Sequence, residues 1–116
     1  MIIPRDAIIP IEKVRDYLLK PLEVDDKSGF LALAGYSRED YWELIRDIRE
    51  QLLPAEAEYQ GNRGYGNIYA VRGILVGPNT IRLAVSAIWI LNLSDEIRFV
   101  TLQPDKERYH NEIRTF

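Results

Sequence analysis

Apolar residues recur along the chain with two different periods, and the change between them falls near residue 68. Before that point the spacing is helical. Ile11, Val14 and Leu18 line one face, with Pro10 where a first turn tolerates it and Pro21 where the run must stop, which predicts a helix over residues 10–19. Gly29-Phe-Leu-Ala-Leu-Ala34 predicts one or two further helical turns, closed by Gly35 in a left-handed conformation. Ser37-Arg-Glu-Asp40 has the form of a capping box, in which the serine hydroxyl and the acid three residues on satisfy orphan backbone donors. Behind it Tyr41, Leu44, Ile45, Ile48, Leu52 and Leu53 form an apolar stripe that Pro54 ends, while Arg46, Asp47 and Glu50 face away. A third helix over residues 38–53 follows.

From Ile68 the period is two, and β-branched and aromatic residues are enriched. Strands are predicted over residues 68–76, 80–93 and 97–102, with turns at Gly77-Pro-Asn79 and Asn92-Leu-Ser-Asp95. On the long middle strand Ile81, Leu83, Val85, Ala87, Trp89 and Leu91 point one way, and Arg82, Ala84, Ser86, Ile88, Ile90 and Asn92 the other. Near Ile88 and Ile90 both faces are apolar, as for a central strand covered on both sides. Gly64 and Gly66 read as a hinge freeing the chain between helices and sheet. The fold class is α+β: two to three N-terminal helices packed on a C-terminal antiparallel sheet of three to four strands. One domain over residues 1–104 and a tail over 105–116, mixed in charge and poor in apolar residues, complete the reading.

Composition narrows the function classes. At 116 residues the chain suits one domain, and 47% hydrophobic with 28% charged residues is the make-up of a folded protein. Absence of cysteine excludes disulfides and thiolate nucleophiles and suits a reducing compartment, so a cytoplasmic location is expected. No basic region precedes an apolar core at the N-terminus, so no signal peptide is expected. Arg82, Ser86 and Asn92 interrupt the longest apolar stretch, so no membrane span is expected either. The net charge of −3 is uneven: residues 1–58 hold eight basic and thirteen acidic residues, whereas residues 59–103 hold four and two. A mildly basic second half suits a polyanion.

No cofactor or metal is implied. The sole histidine, His110, lies in the tail, and Asp25-Asp26 and Asp95-Glu96 read as solvated loop acids. A Ser-His-Asp triad would need His110 to return beside Ser28, Ser37 or Ser86. Gly64-Tyr-Gly66 is not a nucleotide loop, because it runs into a strand and phosphate-cradling loops open a helix. Phosphodiester cleavage without metal or histidine remains, since Lys, Arg and Tyr can supply a base, a cation for the phosphorane and an acid. Lys27, Tyr65, Tyr69, Arg72 and Arg98 are the candidates. Tyr69 and Arg72, three residues apart in one strand, face opposite ways unless a bulge intervenes. Trp89 reads as core, and Trp42 as a boundary residue that can serve a partner surface.

Several segments together resemble a known family: Arg15-Asp-Tyr-Leu-Leu19, Lys27 with Phe30, Leu33-Ala-Gly-Tyr-Ser-Arg38, Tyr65-Gly66 with Tyr69, Val71-Arg-Gly73, Leu75-Val-Gly-Pro-Asn79, Trp89-Ile90, and Arg98-Phe-Val-Thr101 with Pro104. It is a bacterial family of unknown function whose members occur as small stand-alone proteins and as C-terminal tips of polymorphic toxins. The resemblance spans roughly residues 8–104. It implies the architecture of the barnase, colicin and RelE-type ribonuclease group, with scattered basic and tyrosine residues on the sheet. Carried onto this chain, the matching positions able to do chemistry are Lys27, Tyr65, Tyr69, Arg72, Arg98 and Thr101. Two functions stay open: a metal-independent ribonuclease acting on RNA, and a non-catalytic interaction module that forms a homodimer or binds an antitoxin-like protein.

Overall fold

A computed structural model of the chain describes residues 1–24 and 26–106. Its elements in order are β1 (Ile2–Ile3), α1 (Ile11–Lys13) continuing into a π-helical turn (Val14–Leu18), and α2 (Ser28–Ala32). Then come α3 (Tyr41–Asp47), running on into a second π-helical turn (Ile48–Leu52), β2 (Ala55–Glu56), β3 (Glu58–Asn62), β4 (Gly66–Val76), β5 (Arg82–Asn92) and β6 (Ile97–Pro104). Strands β3-β4-β5-β6 form an antiparallel meander in sequence order, and β1 pairs with β2 in a separate two-stranded sheet. The α+β class holds.

The alternation expected on β5 is present, and it sorts the sheet into two unlike faces. Leu83, Val85, Ala87 and Trp89 join Val71, Leu75, Phe99 and Leu102 in one core, against Val14 and Leu18 of the first helix, Leu31 of α2, and Leu44, Ile48 and Leu52 of the third. Each fully buried Val, Leu, Ile or Phe among them contributes about 1.5–3 kcal/mol. Trp89 and Phe99, paired across β5 and β6, meet edge to face at 5.4 Å. On the opposite face Ile68, Ala70, Ala84 and Ile90 are also buried, yet they stand outside that core. Of the two isoleucines expected to be covered on this face, Ile90 is buried and Ile88 half-buried, beside the strands, the β3–β4 hairpin and the start of α1.

Other boundaries move for identifiable reasons. The third helix starts at Tyr41, not at residue 38. Ser37 Oγ accepts from the Asp40 amide at 3.3 Å, so the capping-box residues make a turn ahead of the helix, with Asp40 at the cap position. Gly64 and Gly66 are not a hinge between helices and sheet: β3 precedes them, and they belong to the β3–β4 hairpin. At the other end β6 runs to Pro104, and Asp105 beyond it is 6% exposed. Residues 107–116, most of the expected tail, lie outside the described residues.

Polar clamps fix the helices to the sheet. Tyr36 Oη donates to Asp47 Oδ2 at 2.6 Å and approaches the Val76 carbonyl at 3.3 Å, while the Gln51 side-chain amide exchanges both hydrogen bonds with the Val76 backbone at 2.7 and 2.9 Å. Burial, and then the Asp47 carboxylate, push the Tyr36 phenol well above the ordinary tyrosine range. Arg49 Nη1 donates to the carbonyls of Arg5 at 2.8 Å and Ala7 at 2.6 Å, and Arg5 Nη2 donates to Leu53 O at 3.0 Å. These bonds hold residues 4–9 so that Ile8 pairs with β6 from outside, through Ile8 N to Ile97 O at 3.0 Å and Phe99 N to Ile8 O at 2.8 Å.

Gly77 lies where the β4–β5 turn meets the chain after α2, and a Cβ there would collide with the Ala34 carbonyl oxygen and Cβ. Gly77→Ala is therefore expected to lower stability by about 1–3 kcal/mol, moving the urea midpoint with the slope unchanged. Tyr36→Phe leaves a buried carboxylate short of a donor and is expected to cost about 1.5–3 kcal/mol. The wild-type phenol keeps its proton above pH ~10 while the unfolded chain loses it, so it contributes a fall in stability there as pH rises. Chemical denaturation from pH 8 to 11 should show a shallower fall in Tyr36→Phe.

Candidate functional site

Two β-bulges shape the face opposite the helices. In β6 the pairing steps from Ile88–Thr101 to Trp89–Phe99, leaving Val100 as the extra residue; in β3 it steps from Tyr59–Tyr69 to Gly61–Ile68, leaving Gln60. A bulge bends its strand and re-aims side chains. The β6 bulge puts Arg98, opposite Ile90, and Thr101, opposite Ile88, on the same face although they are three residues apart. On β4 no bulge occurs between Gly66 and Val76 in its pairing with β5, so Tyr69 and Arg72 face opposite ways, as the alternation requires.

The concave face holds a row of adjoining cavities. One of about 440 Å³ lies among Pro10, Lys13, Tyr65, Ile68, Ile90 and Arg98. The next, about 330 Å³, shares Tyr65, Ile68 and Val100 with it and adds Gln60, Arg63, Thr101 and Gln103. A third, about 350 Å³, continues from Gln60 and Gln103 to Arg72, Ser86 and Asp105, and a fourth, about 320 Å³, runs from Gln103 to Lys27 and Asp26. Six basic side chains and four acidic ones line the four cavities, so the groove is net positive within a net negative chain.

Local structure holds several of the candidate side chains. Asp26 Oδ1 accepts from the Ser28 amide at 3.0 Å and hydroxyl at 2.7 Å, which opens α2 and lowers the Asp26 pKa below the usual carboxylate value, chiefly through the hydroxyl bond. Lys27, at the cap position between them, donates from Nζ to Thr101 Oγ1 at 3.3 Å. In the hairpin Asn62 Oδ1 accepts from the Gly64 amide at 2.7 Å and Asn62 Nδ2 donates to Asn67 Oδ1 at 2.8 Å; Gly64 has φ +84°, which favours glycine. This tip carries Arg63 and Tyr65 over the groove, and Tyr65 is 64% exposed.

Of the six residues expected from sequence, Tyr65, Arg98 and Thr101 gather along the first two cavities and Lys27 at the fourth, its amine reaching Thr101. Arg72 shares the face but is engaged: its Nε and Nη2 donate to the two Asp105 oxygens, both at 2.9 Å. Tyr69 is on the helix side, edge to face with Tyr59 at 5.7 Å, and takes no place in the groove. Arg98 is held only loosely by Glu96, at 3.9 Å. Sequence reasoning missed Lys13, Gln60, Arg63 and Gln103. The bulges that aim Gln60 and Val100 leave no periodic signal, although Gly61 at φ +127° beside Gln60 is a glycine of the kind that marks one. Trp42 is 52% exposed with the Arg46 guanidinium over its ring at 5.4 Å, on the helix α3 and apart from the groove.

Among the described residues no group of three or more His, Cys, Asp or Glu is placed to hold a metal ion, and no helix is long and apolar enough to cross a membrane. No curated protein matches the chain. A solved chain from a contact-dependent growth inhibition toxin–immunity protein complex of Klebsiella pneumoniae 342 has the same fold, with a TM-score of 0.58 at 11% identity, covering 85% of this chain and 100% of that one. The sequence pattern of a family described as a domain of unknown function, DUF6883, matches residues 4–106, and the chain belongs to that family.

Proposed function

We propose that the chain is a toxin-like ribonuclease whose groove binds RNA and cleaves it by attack of the 2′-hydroxyl, without a metal ion. The observation that carries the reading is the Lys27–Thr101 contact, 3.3 Å, beside a cavity that also takes Tyr65 and Arg63 and adjoins the one holding Arg98. An amine, two guanidiniums and a hydroxyl on one concave strip are the groups that this chemistry needs. The fold is shared with a chain of a toxin–immunity protein complex, and by that analogy a protein partner is expected.

In this reading Lys27 Nζ takes the 2′-hydroxyl proton, with Thr101 fixing its position. The 2′-oxygen bonds to phosphorus, and the bond to the 5′-oxygen breaks. Water admitted by the open groove protonates the leaving oxygen, giving a 2′,3′-cyclic phosphate and a 5′-hydroxyl end. Arg98 and Arg63 stabilise the charge on the phosphorane. Arg72 braces the end of β6 through Asp105, and Tyr69 packs on the helix side.

Purified protein in EDTA is expected to cut RNA to cyclic-phosphate products, and intact RNA would sink the proposal. Lys27→Met should lower the rate by about 10²–10⁴-fold. Lys27→Arg keeps the charge but holds its proton, so an equal loss marks Lys27 as the base, and near-normal cleavage would contradict that role.

A further inference from the structure

The groove is not uniformly polar. Between the start of α1 and the β3–β4 hairpin its cavity of about 440 Å³ is walled by Pro10, Ile68, Ile90 and Val100, with Tyr65 at the boundary with the next cavity and the cations Lys13 and Arg98, beside the acid Glu12, also lining it. A phosphate alone would have nothing to do with that apolar wall. Duplex RNA would bring only its charged backbone and leave Ile68 and Ile90 facing phosphate. A ligand that joins a flat apolar ring to an anion fits both parts, because the ring lies against the apolar wall and the exposed Tyr65 while the anion meets the cations.

We propose, resting on the ribonuclease reading, that this cavity is a nucleobase subsite that takes one unpaired base of the RNA, with the Tyr65 ring as its stacking wall. The substrate is then single-stranded where it is cut. Base identity is read weakly: among the described residues the one side-chain amide lining the cavity, Asn92, is already committed to the β5–β6 turn. Its Nδ2 donates to Glu96 Oε1 at 3.1 Å, and its Oδ1 accepts from the amides of Ser94 and Glu96, each at 2.9 Å. Shape and stacking are left to select the base, which gives sequence tolerance.

The test separates binding from cleavage. A short RNA strand, 2′-O-methylated throughout so that it cannot be cut by its own hydroxyls and carrying one 2-aminopurine, is titrated with the protein, alone and annealed to its complement. The fluorescence of the strand is expected to change on binding, and the duplex to bind at least roughly tenfold more weakly. Tyr65→Ala, at an exposed hairpin tip, should weaken binding about tenfold. Val100→Trp, which fills the cavity, should abolish it with the circular dichroism spectrum unchanged. Duplex binding as tight as the strand, no binding of the strand, or a Tyr65→Ala protein that binds like wild type would overturn the subsite. The first and last of these leave the ribonuclease reading standing; strand binding with no cleavage of unmodified RNA overturns that reading and not the subsite.

Discussion

Trp89, Phe99 and Leu102 draw the apolar stripes of all three helices onto a single face of the sheet, and the strands meet the needs of the other face with their own side chains. That division decides what the molecule can do. A face that must bury its own isoleucines beside charged groups curves rather than lies flat, and the bulges at Gln60 and Val100 supply the bend. The groove is thus a consequence of one-sided packing. Its apolar floor and its charged walls come from the same alternation that builds the core behind it.

Positioning is done by short-range polar geometry at the rim. The Asp26 cap sets Lys27, the Asn62 bonds set the hairpin tip with Arg63 and Tyr65, and the Arg5–Arg49 exchange sets residues 4–9, which brace β6 next to Arg98. The first two devices are local to a loop, whereas the groups they place come from distant parts of the chain: Lys27 and Thr101 are 74 residues apart. Loops of this kind vary without disturbing the core, which is how one fold carries many chemistries.

Much of the fold was legible because it rests on periodicity. Residues 82–92 alternate without interruption, so both faces of β5 were assigned correctly, and the stripe from Tyr41 to Leu52 marked the third helix. What escaped was what periodicity does not encode. Strand β3, Glu58–Asn62, is an edge strand exposed along most of its length, so it carries polar residues and a glycine where an apolar alternation would announce a strand. Ser37 spelled a capping box but closed a turn, because the same hydroxyl geometry serves both. For the candidate site, facing was not legible. Arg98 and Thr101 are three apart, as Tyr69 and Arg72 are, and only a bulge visible in three dimensions unites the first pair while the second stays divided.

The central claim is that the face opposite the helices is the working surface and that RNA is what it meets. Backbone amide chemical shifts recorded while a short 2′-O-methylated RNA is added test this most directly. The account expects shifts confined to Lys13, Lys27, Gln60, Arg63, Tyr65, Arg98 and Thr101 and their neighbours, weakening with salt as phosphate contacts do. Shifts centred on Trp42 and the exposed side of α3, or none at all, would contradict it.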